Sequence, residues 1–207
     1  MAGLPLKLVV GLGNPGRDYA RTRHNAGWWL VDELAARFGG SWRQAAREHT
    51  ESARIDVAGT QLWLLKPTAF MNRSGGPVAA VAKFYGIEPG EILVAHDDID
   101  LPPGVARLKL GGGHGGHNGV RDVIAHLGAD FWRLRLGVGH PGSKDLVLDA
   151  VLDRPTQAEQ QAIDEALARA LESMPELLRS GAQKAMHSLH SRNAGDPGSE
   201  GPASDGP

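Results

Sequence analysis

The chain has 207 residues, a net charge of −2, 41% hydrophobic residues and no cysteine. That is enough for one well-buried domain, with no apolar run long enough to span a membrane. The lack of cysteine excludes disulfides, thiolate catalysis and zinc–thiolate sites. The start, MAGLPLKLVVGLG, lacks a basic segment, a long apolar core and a small-residue cleavage site, so we expect a cytoplasmic protein without a signal peptide.

In chain order, LKLVV (Leu6 to Val10) reads as a buried strand. Gly11 to Asn25 is too polar and too broken by Gly and Pro to form an element, and reads as a loop across an edge of the sheet. Apolar residues from Trp28 to Phe38 follow helical spacing until Gly39-Gly40 stops them. RIDVAG and TQLWLLKP predict a hairpin turning near Gly59, and Val78 to Tyr85 predicts a helix ending at Gly86. EILVAHDDID contains a strand, ILVA, that delivers its acids at its C-terminal end. VARLKL alternates like a strand, VRDVIAHL has helical spacing, and WRLRLGVG and DLVLDAVL read as further strands. Thr156 with Glu159 and Ser173 with Glu176 both fit a capping box, and Pro175 favours a kink or a fresh helix start. The whole predicts an α/β fold: a single three-layer domain over residues 1–190, with a twisted mixed central sheet flanked by helices. Residues 191–207 have almost nothing to bury and are expected to form a disordered Gly/Pro/Ser/Asp tail.

Residues 111 to 119 read GGGHGGHNG, with His114, His117 and Asn118 among six glycines. Neither a packed helix nor a strand needs such a run, whereas glycine lets a backbone approach a ligand closely with its N–H groups facing it. Lying between a strand and a helix, the loop also gains the partial positive charge of a helix N-terminus. The acidic tail masks the local charge. It holds one base and three acids, and the rest has 21 of each. From Leu101 to Lys144 six bases face two acids, a positive bias suited to phosphate.

Gly11-x-Gly13-x-x-Gly16 matches the dinucleotide fingerprint in letters only. The fingerprint needs a helix opening among the glycines, and here helical spacing begins near Trp28. Chemistry-bearing side chains fall in four clusters: Asn14 with Tyr19, His24 and Asn25; Asn72; Asp97 with Asp98 and Asp100; and His114, His117 and Asn118. A histidine beside a carboxylate is the usual way to poise a base near neutral pH. With no nucleophile elbow around Ser74 and no cysteine, His-activated water is the simplest hydrolytic plan. A metal held by His114, His117 and Asp97 is the rival, but glycine-spaced histidines lack a stiff scaffold for coordination. We therefore expect no metal and no cofactor.

Taken together, LVVGLGNPGRDYARTRHNAGWWLVDELA, KPTAFMNRSG, LVAHDDIDLPPGVARLKLGGGHGGHNGVRDVI and FWRLRLGVGHPG resemble the bacterial peptidyl-tRNA hydrolase family, from about Lys7 to Gly142 and more loosely to about Leu189. That resemblance implies cleavage of the ester between a peptide and the terminal ribose of tRNA. It implies His24 as catalytic base, Asp97 as the carboxylate holding the imidazole, and Asn14 as the residue distinguishing blocked from free aminoacyl groups. Tyr19, Phe70, Asn72 and Asn118 correspond to contacts with the tRNA end or peptide, and Met71 and His117 to lining of the same cleft. Lys109 and Arg135 match basic residues that clamp the tRNA 5′-phosphate. The implied partner is peptidyl-tRNA, through its acceptor stem and 3′ end, and the implied state is a monomer. An RNA-binding module without hydrolysis and a metal-dependent phosphoesterase using the Gly-rich loop are the alternatives from other classes.

Overall fold

A computed structural model describes residues 3–191. Seven strands form one sheet: β1 (Leu8–Gly11), β2 (Arg43–Ala45), β3 (Thr50–Val57), β4 (Thr60–Pro67), β5 (Ile92–Asp98), β6 (Ala106–Leu110) and β7 (Trp132–Gly137). Their order is β2-β3-β4-β1-β5-β7-β6. The inner four, β4, β1, β5 and β7, run parallel, and β3, β2 and β6 are added antiparallel at the edges. This is the mixed sheet the hairpin reading calls for. The hairpin turns through Ala58 and Gly59, both at positive φ, as a tight two-residue connection requires.

Helices cover both faces. Against one lie α1 (Ala26–Arg37), α5 (Gln157–Ser180) and α6 (Ala182–Ser191), burying Leu30, Leu34, Leu167, Leu171 and Leu177 with Leu64, Leu93 and Leu134 of the sheet. Against the other lie α2 (Gly75–Tyr85) and α3 (Asn118–Leu127), packing Val78, Ala82, Val120 and Val123 on Leu8, Val10 and Val94. The inner strands are buried on both faces, which is why β1 reads as an unbroken apolar run rather than an alternating one.

Two sequence expectations fail here. DLVLDAVL is not a strand: after a short turn it forms α4 (Val147–Leu152). Apolar residues at 147, 148 and 151 serve helical spacing as well as an extended one. The segment docks against the turn bearing His24, with the Arg23 N–H donating to Asp153 O at 3.1 Å. Of the two readings of Pro175, the fresh helix start does not occur. α5 runs through the proline to Ser180, because Met174, Leu177 and Leu178 continue its buried stripe. Ser173 Oγ donates back to Ala170 O instead of capping, and the break falls at Gly181. The Thr156–Glu159 capping box forms as read. Of the expected tail only Ser191 is described, closing α6, and residues 192–207 lie outside the described part.

Candidate active site

The register of the parallel strands sets the site. Gly11 pairs with Ala95, so the chain leaving β1 at Leu12 to Asn14 runs level with His96 to Asp98 at the end of β5. A Cβ at Gly27 would sit 2.3 Å from Ala95 O and 2.5 Å from Leu12 N. Glycine there lets α1 start directly against the ends of both strands. The turn just before it, Arg23–Asn25, thereby carries His24 to Asp97. Arg23 locks this turn from outside, donating to Ala150 O at 3.0 Å and pairing with Glu159 at 2.7 Å.

His24 Nδ1 lies 2.8 Å from Asp97 Oδ1, and His117 Nε2 lies 2.8 Å from the same oxygen. His117 is the N-cap of α3: its Nδ1 accepts from the Gly119 and Val120 N–H groups. Those two donors assign the imidazole proton of His117 to Nε2, where it is given to Asp97. His24 likewise donates through Nδ1, which leaves its Nε2 as a free lone pair. The two rings stand 4.7 Å apart. Burial pushes the His24 pKa down, but the Asp97 charge and hydrogen bond outweigh it and hold it above the ordinary 6.5. Burial pushes Asp97 up, yet the two imidazoles hold its carboxyl well below the usual carboxylate range.

Asn14 is fixed by its neighbours. Its N–H donates to Asn25 Oδ1 at 2.8 Å and its carbonyl accepts from Asn25 Nδ2 at 3.0 Å. Its Oδ1 accepts the Met71 N–H at 2.8 Å, which leaves the NH2 as the end of the carboxamide available to a ligand. Tyr19 and Phe70 meet edge to face at 6.3 Å beside it, and Phe70 is 57% exposed. Asn72 is exposed on the turn following Met71.

His24, His96, Asp97, Asp98, His117 and Asn118 line a cavity of about 270 Å³ closed by Val147, Leu148 and Val151 of α4. The Gly-rich loop forms its rim through His114, Gly115 and Gly116. Gly115 and Gly116 sit at φ +56° and +81°, which L side chains rarely adopt. The structure thus joins His24, Asp97, His117 and Asn118 in one cavity, and Asn14, Met71, Tyr19 and Phe70 in a wall beside them. Lys109 and Arg135, on β6 and β7, do not line this cavity themselves. Arg135 is not free, since it pairs with Asp98 at 2.6 Å.

His96 is a buried group that the sequence clusters do not include. His96 donates from Nδ1 to Asp97 O at 2.7 Å, and burial, followed by the neighbouring His117, pushes its pKa down to about 4. Asn25 stands in the sequence cluster with His24, and the fold shows it gripping Asn14. Val147, Leu148 and Val151 are hidden by the strand reading. The metal alternative shifts as well. Among the described residues the convergent set is His24, Asp97 and His117, with ligand atoms within 4.8 Å of one another, rather than one including His114. Both nitrogens that would bind already donate protons to Asp97. Freeing His117 Nε2 as a ligand would move its proton to Nδ1 and break both cap bonds.

The sequence profile of the peptidyl-tRNA hydrolase family matches residues 8–196. The chain belongs to the peptidyl-tRNA hydrolase family. It is similar to the peptidyl-tRNA hydrolase of Acidithiobacillus ferrooxidans, with 54% identity over 185 residues, 89% of this chain and 98% of that protein. It is 50% identical over 188 residues to that of Neisseria meningitidis serogroup A, covering 90% and 98% respectively. The fold matches the crystal structure of peptidyl-tRNA hydrolase from Acinetobacter baumannii with a TM-score of 0.88 and 46% identity, over 91% of this chain and 96% of that one. The likeness to other peptidyl-tRNA hydrolases therefore includes α4 through α6, where sequence reading alone finds only a loose match.

Proposed function

We propose that the protein hydrolyses the ester joining a peptide to tRNA, with His24 activating the attacking water. The observation carrying this reading is the shared Asp97 oxygen. It accepts a hydrogen bond from His24 Nδ1, which leaves Nε2 basic on a residue that lines a cavity. In this reading Nε2 takes a proton from water as the water oxygen attacks the ester carbonyl. The tetrahedral intermediate then collapses, and the ribose oxygen leaves with the proton returned from His24. His117, fixed by the α3 turn, holds Asp97 from the other side. Asn72, with a nearby backbone N–H, steadies the oxyanion.

Asn14 presents its NH2 to a carbonyl of the blocked amino acid, a group that a free ammonium-bearing aminoacyl ester lacks. Tyr19, Phe70, Met71 and Asn118 frame the peptide and the tRNA 3′ end. Lys109 and Arg135 take the acceptor-stem phosphate, with Arg135 exchanging or sharing its Asp98 partner. No helix among the described residues is long and apolar enough to cross a membrane. We place the enzyme in the cytoplasm as a monomer.

The test is release of tRNA from N-acetyl-aminoacyl-tRNA, beside unblocked aminoacyl-tRNA and beside His24→Ala, with chelator present. Cleavage of the blocked substrate alone, lost in the variant, is expected. Salt-sensitive tRNA binding without cleavage would mean a binding module, and loss on chelation would mean a metal enzyme.

A further inference from the structure

Strands β6 and β7 place four cations on one face. Arg107 pairs with Arg135 and Lys109 with Arg133, while the alternate residues Leu108, Leu134 and Leu136 enter the core. Lys109 is exposed, and Arg107 and Arg135 are half-buried. Arg133 is only 3% exposed. Its guanidinium donates from Nη1 to Gly113 O and from Nη2 to Gly112 O at 2.6 Å, and lies 4.7 Å from the centre of the Phe131 ring. No carboxylate among the described residues pairs with it, and its Nε is buried without a partner. Burial and the neighbouring Arg135 accordingly pull its pKa below the usual arginine value.

A buried cation with no counter-charge is a poor way to stabilise a fold. What Arg133 holds explains its presence. Gly112 and Gly113 lie at the start of the Gly-rich loop, five and four residues ahead of His117, and Gly112 sits at φ +97°. Glycines contribute no side chains to anchor such a segment, and a planar two-pronged donor fixes two successive carbonyls in one geometry, which a freely rotating ammonium does not. Lys109 lies over the same point: a Cβ on Gly112 would be 2.8 Å from its Nζ. The root of the loop is therefore gripped by the strand face that carries Lys109 and Arg135.

We propose that Arg133 is a positioning residue that ties the cationic face of β6 and β7 to the Gly-rich loop, keeping His117 and Asn118 in register with His24. The proposal rests on the hydrolytic reading above. It separates the cationic face into two jobs: Lys109 and Arg135 meet phosphate, and Arg133 sets the loop geometry without touching substrate.

The experiment compares Arg133→Met, Arg133→Lys and Lys109→Ala on N-acetyl-aminoacyl-tRNA and on an N-acetyl-aminoacyl ester of the CCA trinucleotide, which has no acceptor stem. Loss of loop register should lower kcat about 10- to 100-fold on both substrates in Arg133→Met, since misplacement near 1 Å costs about that much. Arg133→Lys should recover only part of it. The salt dependence of tRNA binding should be unchanged in Arg133→Met, whereas Lys109→Ala should raise KM for tRNA alone and reduce the salt slope by about one. Should Arg133→Met fold poorly, hydrogen exchange in Arg133→Lys decides the matter: amides 112–117 should exchange faster while α3 stays protected. A shallower salt slope with an effect confined to full tRNA would make Arg133 a phosphate ligand and overturn the proposal, as would unchanged kcat or unchanged loop exchange. Failure of the wild type to cleave either ester would instead defeat the hydrolytic reading, and the exchange comparison would still judge Arg133.

Discussion

Replacing Asp97 by Asn tests whether the carboxylate works through its charge or through its geometry. In a histidine–aspartate pair elsewhere, Asn can turn its NH2 to the imidazole and force the wrong tautomer, at a cost of about 10⁴ in turnover. The present site resists that outcome. His117 is held with its proton on Nε2 by the Gly119 and Val120 N–H groups, and His24 donates to the same Asp97 oxygen. In Asp97→Asn, an NH2 turned towards the two imidazoles would oppose two N–H donors. The amide oxygen should therefore take that position, and both hydrogen bonds should survive. What is lost is the negative charge beside the imidazolium that forms as water is deprotonated. For charge centres about 4 Å apart at an effective dielectric near 20, that attraction is about 4 kcal/mol, or roughly 10³ in rate. The amide dipole returns some of this, so we expect kcat to fall about 10²- to 10³-fold. The pH profile supplies the sign. Wild-type kcat/KM should rise with pH through a His24 pKa above 6.5 and then level off. Without the carboxylate charge, burial is opposed only by the surviving hydrogen bond, so the inflection should move down from its wild-type position. The assay is tRNA release from N-acetyl-aminoacyl-tRNA between about pH 5 and 9, with ¹⁵N NMR of the imidazoles. A loss above about 10⁴ with the His24 proton on Nε2 would refute the tautomer argument. A loss under tenfold, or an inflection that does not move, would refute the electrostatic one.

Other expectations follow from the same geometry. His24→Ala should reduce turnover about 10²- to 10⁴-fold, and retention of more than about a tenth of the wild-type rate would remove His24 as base. Asn14→Asp keeps an oxygen for the Met71 N–H but loses the NH2 and adds a charge. The ratio of rates on blocked and free aminoacyl-tRNA should therefore fall about 5- to 150-fold, corresponding to about 1–3 kcal/mol, with little change in thermal stability; an unchanged ratio would count against the role. Gly27→Ala forces a methyl to within 2.3 Å of Ala95 O. It should cost about 1–3 kcal/mol or more, read as a lower midpoint in thermal unfolding, and a stability equal to wild type would show that α1 does not need that approach.

Much of the architecture is legible in the sequence because it depends on local pattern. The apolar run of β1, the helical spacing after Trp28, the Thr156 capping box and the strand-to-helix setting of the Gly-rich loop each rest on neighbours a few residues apart. The errors come from segments whose local signal is double. DLVLDAVL satisfies two periods, and only the turn it packs on selects the helix. Pro175 is a helix breaker by local rule, and the buried stripe of α5 overrides it. The catalytic reading follows the same division. Motif order marks His24, Asp97, Asn14 and His117 as candidates, while the role of Asn25 and the buried states of His96 and Arg133 depend on partners brought in from distant strands.

By itself, then, the sequence determined which residue types were present for acid–base work, that a glycine loop would meet a helix N-terminus, and which family the chain resembles. The tertiary structure decided that one oxygen of Asp97 serves two histidines, that Arg135 is already paired, and that α4 closes the cavity. The reason is physical. Periodicity and turn chemistry act over a few residues and can be read along the chain. A hydrogen bond between residues 24 and 97, or 97 and 117, depends on strand register and on how closely Gly27 allows a helix to approach, and neither is written in any short stretch of the chain.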